Sequence, residues 1–204
     1  DPSEIGKNIS VEVPIVGDVK EVLGRLNQQV LPGTHTDWLK RIESLKEDHP
    51  SLDIPETTKL LARQVIKDLS DETRGNATIV TGVGQHQMWA AQHYRFKNPS
   101  TFLTSGGSGT MGYEVPAAMG AQVGNPESTV WSIAGDGGFQ MTLCELATIA
   151  ENRLPIKFAI LNNNFLGMVR QWQEIFFDSS YVSTSYTGNP DFVRLAESYG
   201  IKGI

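Results

Sequence analysis

Apolar positions along the chain switch between helical spacing and short continuous runs. From Glu56 to Leu69, the residues Leu60, Leu61, Val65, Ile66 and Leu69 recur at the spacing of one helix face and predict an amphipathic helix. Ala77 to Thr81 is a continuous apolar-rich run of the kind found in parallel strands covered on both faces. Gln85 to Tyr94 then reads as helix, Val115 to Val123 as a helix of small residues, Thr129 to Ala134 as a strand, Phe139 to Glu151 as a helix and Ile156 to Leu161 as a strand. Asn189, Pro190 and Asp191 supply an N-cap, a first-position proline and a first-turn acid for a last helix, which Gly200 stops. This alternation predicts an α/β fold: an open parallel sheet with helices on both faces.

The first part of the chain reads differently. A strand around Ile9 to Val16, the pair Gly17-Asp18 and an amphipathic helix from Val19 to Val30 predict the tail of a preceding α/β domain over residues 1–30. Residues 31–55 carry Pro32, Gly33, Pro50 and Pro55 around a short helical piece with Trp38, Leu39, Ile42 and Leu45, which predicts a linker. The main domain is expected over 56–204. The acidic start and the strand-like finish, Gly200-Ile201-Lys202-Gly203-Ile204, give the expectation of a piece of a longer protein, truncated within its last domain.

Composition narrows the classes of function. The 204 residues, 39% hydrophobic, are enough to bury a core. The net charge of −6, from 23 acidic and 17 basic residues with no basic run, argues against nucleic acid and anionic membranes as partners. No stretch approaches the ~20 apolar residues of a membrane span. Cys144 is the lone cysteine, so no internal disulfide is possible. It reads as a small buried residue in a reducing compartment.

The chemistry concentrates at two strand ends. Gly135-Asp136-Gly137-Gly138 follows one predicted strand, and Asn162-Asn163-Asn164 follows the next, with Asp136 and Asn163 27 residues apart. In a βαβ unit both sit beyond the carboxyl ends of parallel strands, where open α/β sheets bind ligands. Either segment alone is ordinary turn chemistry. Together they predict one Mg²⁺ reached by a carboxylate and an amide oxygen, with a diphosphate against Gly137, Gly138 and a helix expected to open at Phe139. The P-loop and dinucleotide fingerprints are absent, which makes a nucleotide the weaker ligand.

The Gly-Asp-Gly and Asn-Asn pair resembles the metal and diphosphate motif of thiamine-diphosphate enzymes. Its surroundings resemble the acetolactate synthase (acetohydroxyacid synthase) large subunit: Thr81-Gly82-Val83-Gly84-Gln85-His86-Gln87-Met88-Trp89, Thr104 to Tyr113, Phe139-Gln140-Met141-Thr142-Leu143 and Gly167-Met168-Val169-Arg170-Gln171-Trp172-Gln173. Glu4-Ile5-Gly6-Lys7-Asn8 and Gly17-Asp18-Val19 are similar to that family's flavin-binding middle domain.

The resemblance implies a thiamine-diphosphate-binding fold and a role for each matched residue. Asp136, the Asn163 side chain and the Phe165 carbonyl would bind Mg²⁺; Gln85, His86, Gly135, Gly137 and Gly138 would hold the diphosphate. Gly109 and Met111 would face the two cofactor rings, with Met141 nearby and Met111 enforcing the bent cofactor. Met168, Val169 and Trp172 would line the 2-ketoacid pocket, and Asp18 would touch FAD. Taken singly, Met111, Met141, Met168 and Trp172 read as core residues, and His86 as a helix-start polar residue. The reaction implied is decarboxylation of pyruvate and addition to pyruvate or 2-ketobutyrate, in branched-chain amino-acid biosynthesis. A pyruvate oxidase, a glyoxylate carboligase or an inactive cofactor-binding module are the alternatives.

A homodimer or tetramer with the active site at the subunit interface is further implied, with a regulatory small subunit possible. The location implied is the cytoplasm, or a plastid or mitochondrion in a eukaryote. The family's activating glutamate lies in an N-terminal domain outside these residues, so the resemblance implies that they do not complete catalysis alone. Glu114 departs from the glycine common in the family, and Phe165 occupies a variable place. Residues 164–190 are expected to be a loop that moves when no cofactor is bound.

Overall fold

A computed structural model describes residues 1–204, which divide into two units, Asp1–Ser51 and Leu52–Ile204. The first unit contains α1 (Val19–Asn27) and α2 (Thr36–Asp48). Asp18 caps α1, its carboxylate accepting the Lys20 and Glu21 amides at 2.9 and 3.2 Å. The strand expected over Ile9 to Val16 does not form: these residues run as bends and coil with Ile9, Val13 and Ile15 exposed. A strand needs a neighbouring ladder, the first unit has no other strand, and Pro14 lacks a donor.

The second unit is built on four parallel strands in the order β2-β1-β3-β4. They are β1 (Thr78–Thr81), β2 (Phe102–Thr104), β3 (Val130–Gly135) and β4 (Lys157–Leu161). Helices α3 (Ala62–Glu72) and α4 (Gln85–His93) cover one face, where Ile66, Ala90 and Tyr94 pack on Ile79 and Ile133. The other face carries α5 (Glu114–Gly124), α6 (Asp136–Met141), α7 (Leu146–Glu151) and α9 (Phe192–Ser198), with Val80, Val115, Ala118, Ala134, Phe139 and Ile149 in one cluster. Neighbouring residues Ile79 and Val80 thus serve opposite faces, which explains why β1 shows no polar alternation. Each such aliphatic side chain contributes about 1.5–3 kcal/mol on burial.

Several boundaries differ from the sequence reading. Residues 56–61 are not helical; Thr57 accepts the Lys59 amide in a local turn, and α3 begins at Ala62. The helix expected from Phe139 opens at Asp136, directly on β3, and breaks at Thr142 before a 3₁₀ turn at Leu143–Glu145. Thr142 leaves helical geometry and donates its hydroxyl to the Gly112 carbonyl at 2.8 Å, tying the break to the loop after β2. Cys144, in that turn, is exposed rather than buried. The last helix is capped by Asp191 and not Asn189: Asp191 accepts the Val193 and Arg194 amides.

The strand order sets the location of the site. From β1 the chain steps outward to β2 through α4, crosses back through α5 to β3 on the other side of β1, and continues to β4. The order reverses between β1 and β3, so the loops leaving their carboxyl ends part there and open a crevice.

Candidate functional site

Three strand ends supply the crevice. After β1 come Val83, Gly84, Gln85 and His86; after β3, Gly135, Asp136, Gly137 and Gly138; after β4, Asn163, Phe165 and, on α8 (Gly167–Phe176), Met168 and Val169. Met111, from the loop after β2, reaches the same cleft. Gly135 is paired with Leu161 across β3 and β4, so Asp136 and Asn162 leave the sheet side by side. Nothing larger than glycine fits well at Gly137, where an added methyl would stand 2.7 Å from the Tyr186 hydroxyl oxygen.

Asp136 is 2% exposed and fully engaged. Oδ1 accepts the Gly137 amide at 3.1 Å and the Tyr186 hydroxyl at 2.9 Å; Oδ2 accepts the Asn164 amide and Asn189 Nδ2, both at 2.7 Å. Four donors replace the water a buried carboxylate loses. Asn163 Oδ1 turns back to accept the Phe165 amide at 3.0 Å, and the Phe165 ring lies 3.9 Å from the Arg170 guanidinium carbon. Clusters of three or more His, Cys, Asp or Glu suited to a metal are absent. A hard cation held by one carboxylate plus neutral oxygens is the kind of site these residues can make.

His86 is wedged behind Asp136. Its ring fills the space beside Gly84 and Gly135, Nε2 is buried without a partner, and desolvation lowers its pKa to about 4 against the opposing pull of Asp136. It is therefore a neutral imidazole at physiological pH. Gln85 donates from Nε2 to Gln171 Oε1 of α8 at 2.9 Å, which joins the β1 loop to the segment after β4.

Other expected residues lie outside the cleft. Gly109 adopts φ +64° in an exposed turn whose nearest neighbour is Val83, Met141 is 59% exposed, and Trp172 is 58% exposed with its ring edge-to-face on Phe176. Neither Met141 nor Trp172 is a core residue. Asp18 belongs to the first unit, where it caps α1. Sequence reasoning missed Tyr186 and Asn189, which have no local signature and become site residues only because the chain beyond α8 returns. That return is fixed by the Leu166 amide on the Thr184 carbonyl at 2.8 Å and the Tyr186 amide on the Asn164 carbonyl at 3.1 Å.

A family model described as "Thiamine pyrophosphate enzyme, C-terminal TPP binding domain" matches residues 82–204, more than half of the chain. The chain belongs to this family. Its members bind thiamine pyrophosphate through this domain, and the matched stretch contains every strand-end residue of the cleft. Over its whole length the chain is also similar to curated proteins. It is 48% identical to the acetolactate synthase large subunit of Corynebacterium glutamicum, covering 34% of that protein. It is 44% identical to the mitochondrial acetolactate synthase catalytic subunit of Saccharomyces cerevisiae, covering 30%, and 43% identical to the isozyme 2 large subunit of Escherichia coli, covering 36%. The chain thus spans about a third of the length of the curated relatives it matches.

The residues present fit a thiamine pyrophosphate diphosphate with its cation. The buried Asp136 carboxylate stands in the cleft at the switch point, glycines bring backbone amides to its edge, and a neutral imidazole lines the wall. No helix is long and apolar enough to cross a membrane.

Proposed function

We propose that this chain supplies the Mg²⁺-diphosphate site of an acetolactate synthase, which decarboxylates pyruvate and joins the two-carbon unit to pyruvate or 2-ketobutyrate in branched-chain amino-acid biosynthesis. The observation that carries this reading is the buried Asp136 carboxylate at the β1/β3 switch point, in one cleft with Asn163, Gly137 and Gly138. The likeness to acetolactate synthases over the full chain supports the choice of reaction within the family.

Asp136, Asn163 and the Phe165 carbonyl would hold the cation, and Gln85, His86, Gly135, Gly137 and Gly138 the diphosphate. Bound thiamine diphosphate supplies the carbanion chemistry and acts as the electron sink. The chain's own residues bind, orient and exclude water. Neutral His86 can offer a hydrogen bond to a phosphate oxygen without titrating near neutral pH. Met111 lines the cleft, where an apolar side chain can press on the cofactor rings. Gly109 and Met141 would flank the rings. Met168 and Val169 line the outer cleft and, with Trp172 farther along α8, would receive the apolar end of the 2-ketoacid.

The resemblance extends the proposal to FAD near Asp18 of the first unit, to a homodimer or tetramer with the active site at the subunit interface, to a regulatory small subunit and to a cytoplasmic or organellar location. The test is acetolactate formation from pyruvate by the full-length protein with thiamine diphosphate and Mg²⁺. Product that disappears with Asp136→Ala supports the assignment; acetyl phosphate or tartronic semialdehyde chemistry in its place would assign the chain to another thiamine-diphosphate enzyme.

A further inference from the structure

Gln85, the first residue of α4, is half-buried, and α8 holds its side chain from two directions. Nε2 donates to Gln171 Oε1 at 2.9 Å. At the other edge of the amide, a methyl added to Gly167 would collide with Gln85 Oε1 and lie 3.0 Å from its Cδ, so the amide rests against the bare Cα of the first residue of α8. Gly167 and Gln171 stand one turn apart on one face of that helix. Together they grip both edges of the Gln85 amide.

Gln171 is not needed to place α8. No residue of the helix is fully buried, yet it has other anchors. The Arg170 guanidinium carbon lies 3.9 Å from the Phe165 ring centre and 5.0 Å from that of Tyr181. Gln173 donates from Nε2 to the Val182 carbonyl at 2.9 Å and accepts the Thr184 hydroxyl on Oε1 at 3.0 Å. These ties all stay within the segment after β4. The Gln171 bond is the one hydrogen bond from α8 to the loop after β1.

A glutamine amide can turn either its oxygen or its NH2 group toward a ligand, whereas an ionised diphosphate only accepts hydrogen bonds. We propose that Gln171 is a positioning residue for the diphosphate: by accepting one N–H of the Gln85 amide, it fixes the orientation in which the other N–H is free for a phosphate oxygen. This inference rests on the assignment of Gln85 to the diphosphate. A side chain fixed before the ligand arrives loses less conformational freedom on binding, so the same contact yields more affinity.

The experiment is calorimetric titration of Mg²⁺-thiamine diphosphate into the full-length protein and into Gln171→Leu, Gln85→Ala and the double variant. Leucine keeps the size of the side chain and removes the acceptor. Gln171→Leu is expected to weaken binding about fivefold, the scale of one net hydrogen bond. The double variant should bind no more weakly than Gln85→Ala alone, because Gln171 acts only through Gln85. Gly167→Ala, which displaces the Gln85 amide by a different route, should weaken binding similarly and also add nothing to Gln85→Ala. At saturating cofactor, the ketoacid KM of Gln171→Leu should equal that of the unaltered protein, a result that loss of α8 packing would not give. Unchanged cofactor affinity in Gln171→Leu, additive losses, or a raised ketoacid KM overturn the proposal. Unweakened binding by Gln85→Ala removes Gln85 from the site and this inference with it, and leaves the remaining diphosphate residues standing. No binding by the unaltered protein overturns the diphosphate reading itself.

Discussion

The Tyr186 hydroxyl donates to Asp136 Oδ1 at 2.9 Å, across 50 residues of chain. With Asn189 Nδ2 on Oδ2 at 2.7 Å, it places the returning segment on the two oxygens a cation would use. A cation that coordinates Asp136 competes with both donors. Burial and the Asp136 charge raise the Tyr186 pKa, so the hydroxyl stays a donor at every physiological pH.

Tyr186→Phe removes one competitor and keeps the ring. Mg²⁺-dependent cofactor affinity is expected to rise about fivefold, the equivalent of about 1 kcal/mol for one net hydrogen bond. Calorimetry checks this, and unchanged or weaker binding would mean that Tyr186 supports the bound site instead of covering it.

His86 predicts a pH dependence of stability. Its folded pKa lies near 4, below the ordinary 6.5, so the unfolded chain binds more protons between those values. Stability from this group is fully present above pH 6.5 and is lost as pH falls toward 4, by up to about 3 kcal/mol. Urea unfolding of the unaltered chain and of His86→Gln gives the difference. Glu114, whose pKa burial raises, acts in the opposite direction, which the subtraction cancels.

Gly138 and Glu114 are expected to be coupled. Gly138→Ala drives a methyl toward Glu114 Oε1 and should destabilise by about 1–3 kcal/mol. In a Glu114→Ala background that penalty should shrink by more than about 1 kcal/mol, read from a double-mutant cycle of unfolding free energies. Additive effects would show that the carboxyl does not occupy that space.

Trp172→Ala separates a pocket role from a packing role. The ring is more than half exposed, so the melting temperature should shift by no more than about 0.5 kcal/mol of stability implies. The ratio of acetolactate to acetohydroxybutyrate formed from mixed ketoacids should change. Loss of stability with an unchanged product ratio would favour packing.

What the sequence made legible was the part in which local pattern and tertiary environment agree. The runs ending at Thr81 and Ala134 are central strands buried on both faces, the run ending at Leu161 is a half-buried edge strand that packs against both clusters, and the Gly135–Gly138 and Asn162–Asn164 segments lie at the ends of two of them. β2 escaped notice because three residues, Phe102–Thr104, carry too little pattern. Asn189 has the residue type and proline neighbour of a helix cap, yet its side chain bonds Asp136, Asn162 and Asn164, a role set by a contact 53 residues away. Glu114 stood out as a departure, but its burial depends on two glycines at distant strand ends. The apolar run at Ile9 to Val16 shows the reverse case: apolar residues without a partner strand remain coil.

The central claim is that Asp136 anchors a cation and diphosphate at the β1/β3 switch point. It is tested most directly by calorimetric titration of thiamine diphosphate into the complete chain with Mg²⁺, with EDTA, and with Asp136→Ala. The account predicts binding that requires both the metal and Asp136. Equal binding in EDTA or by Asp136→Ala would contradict it.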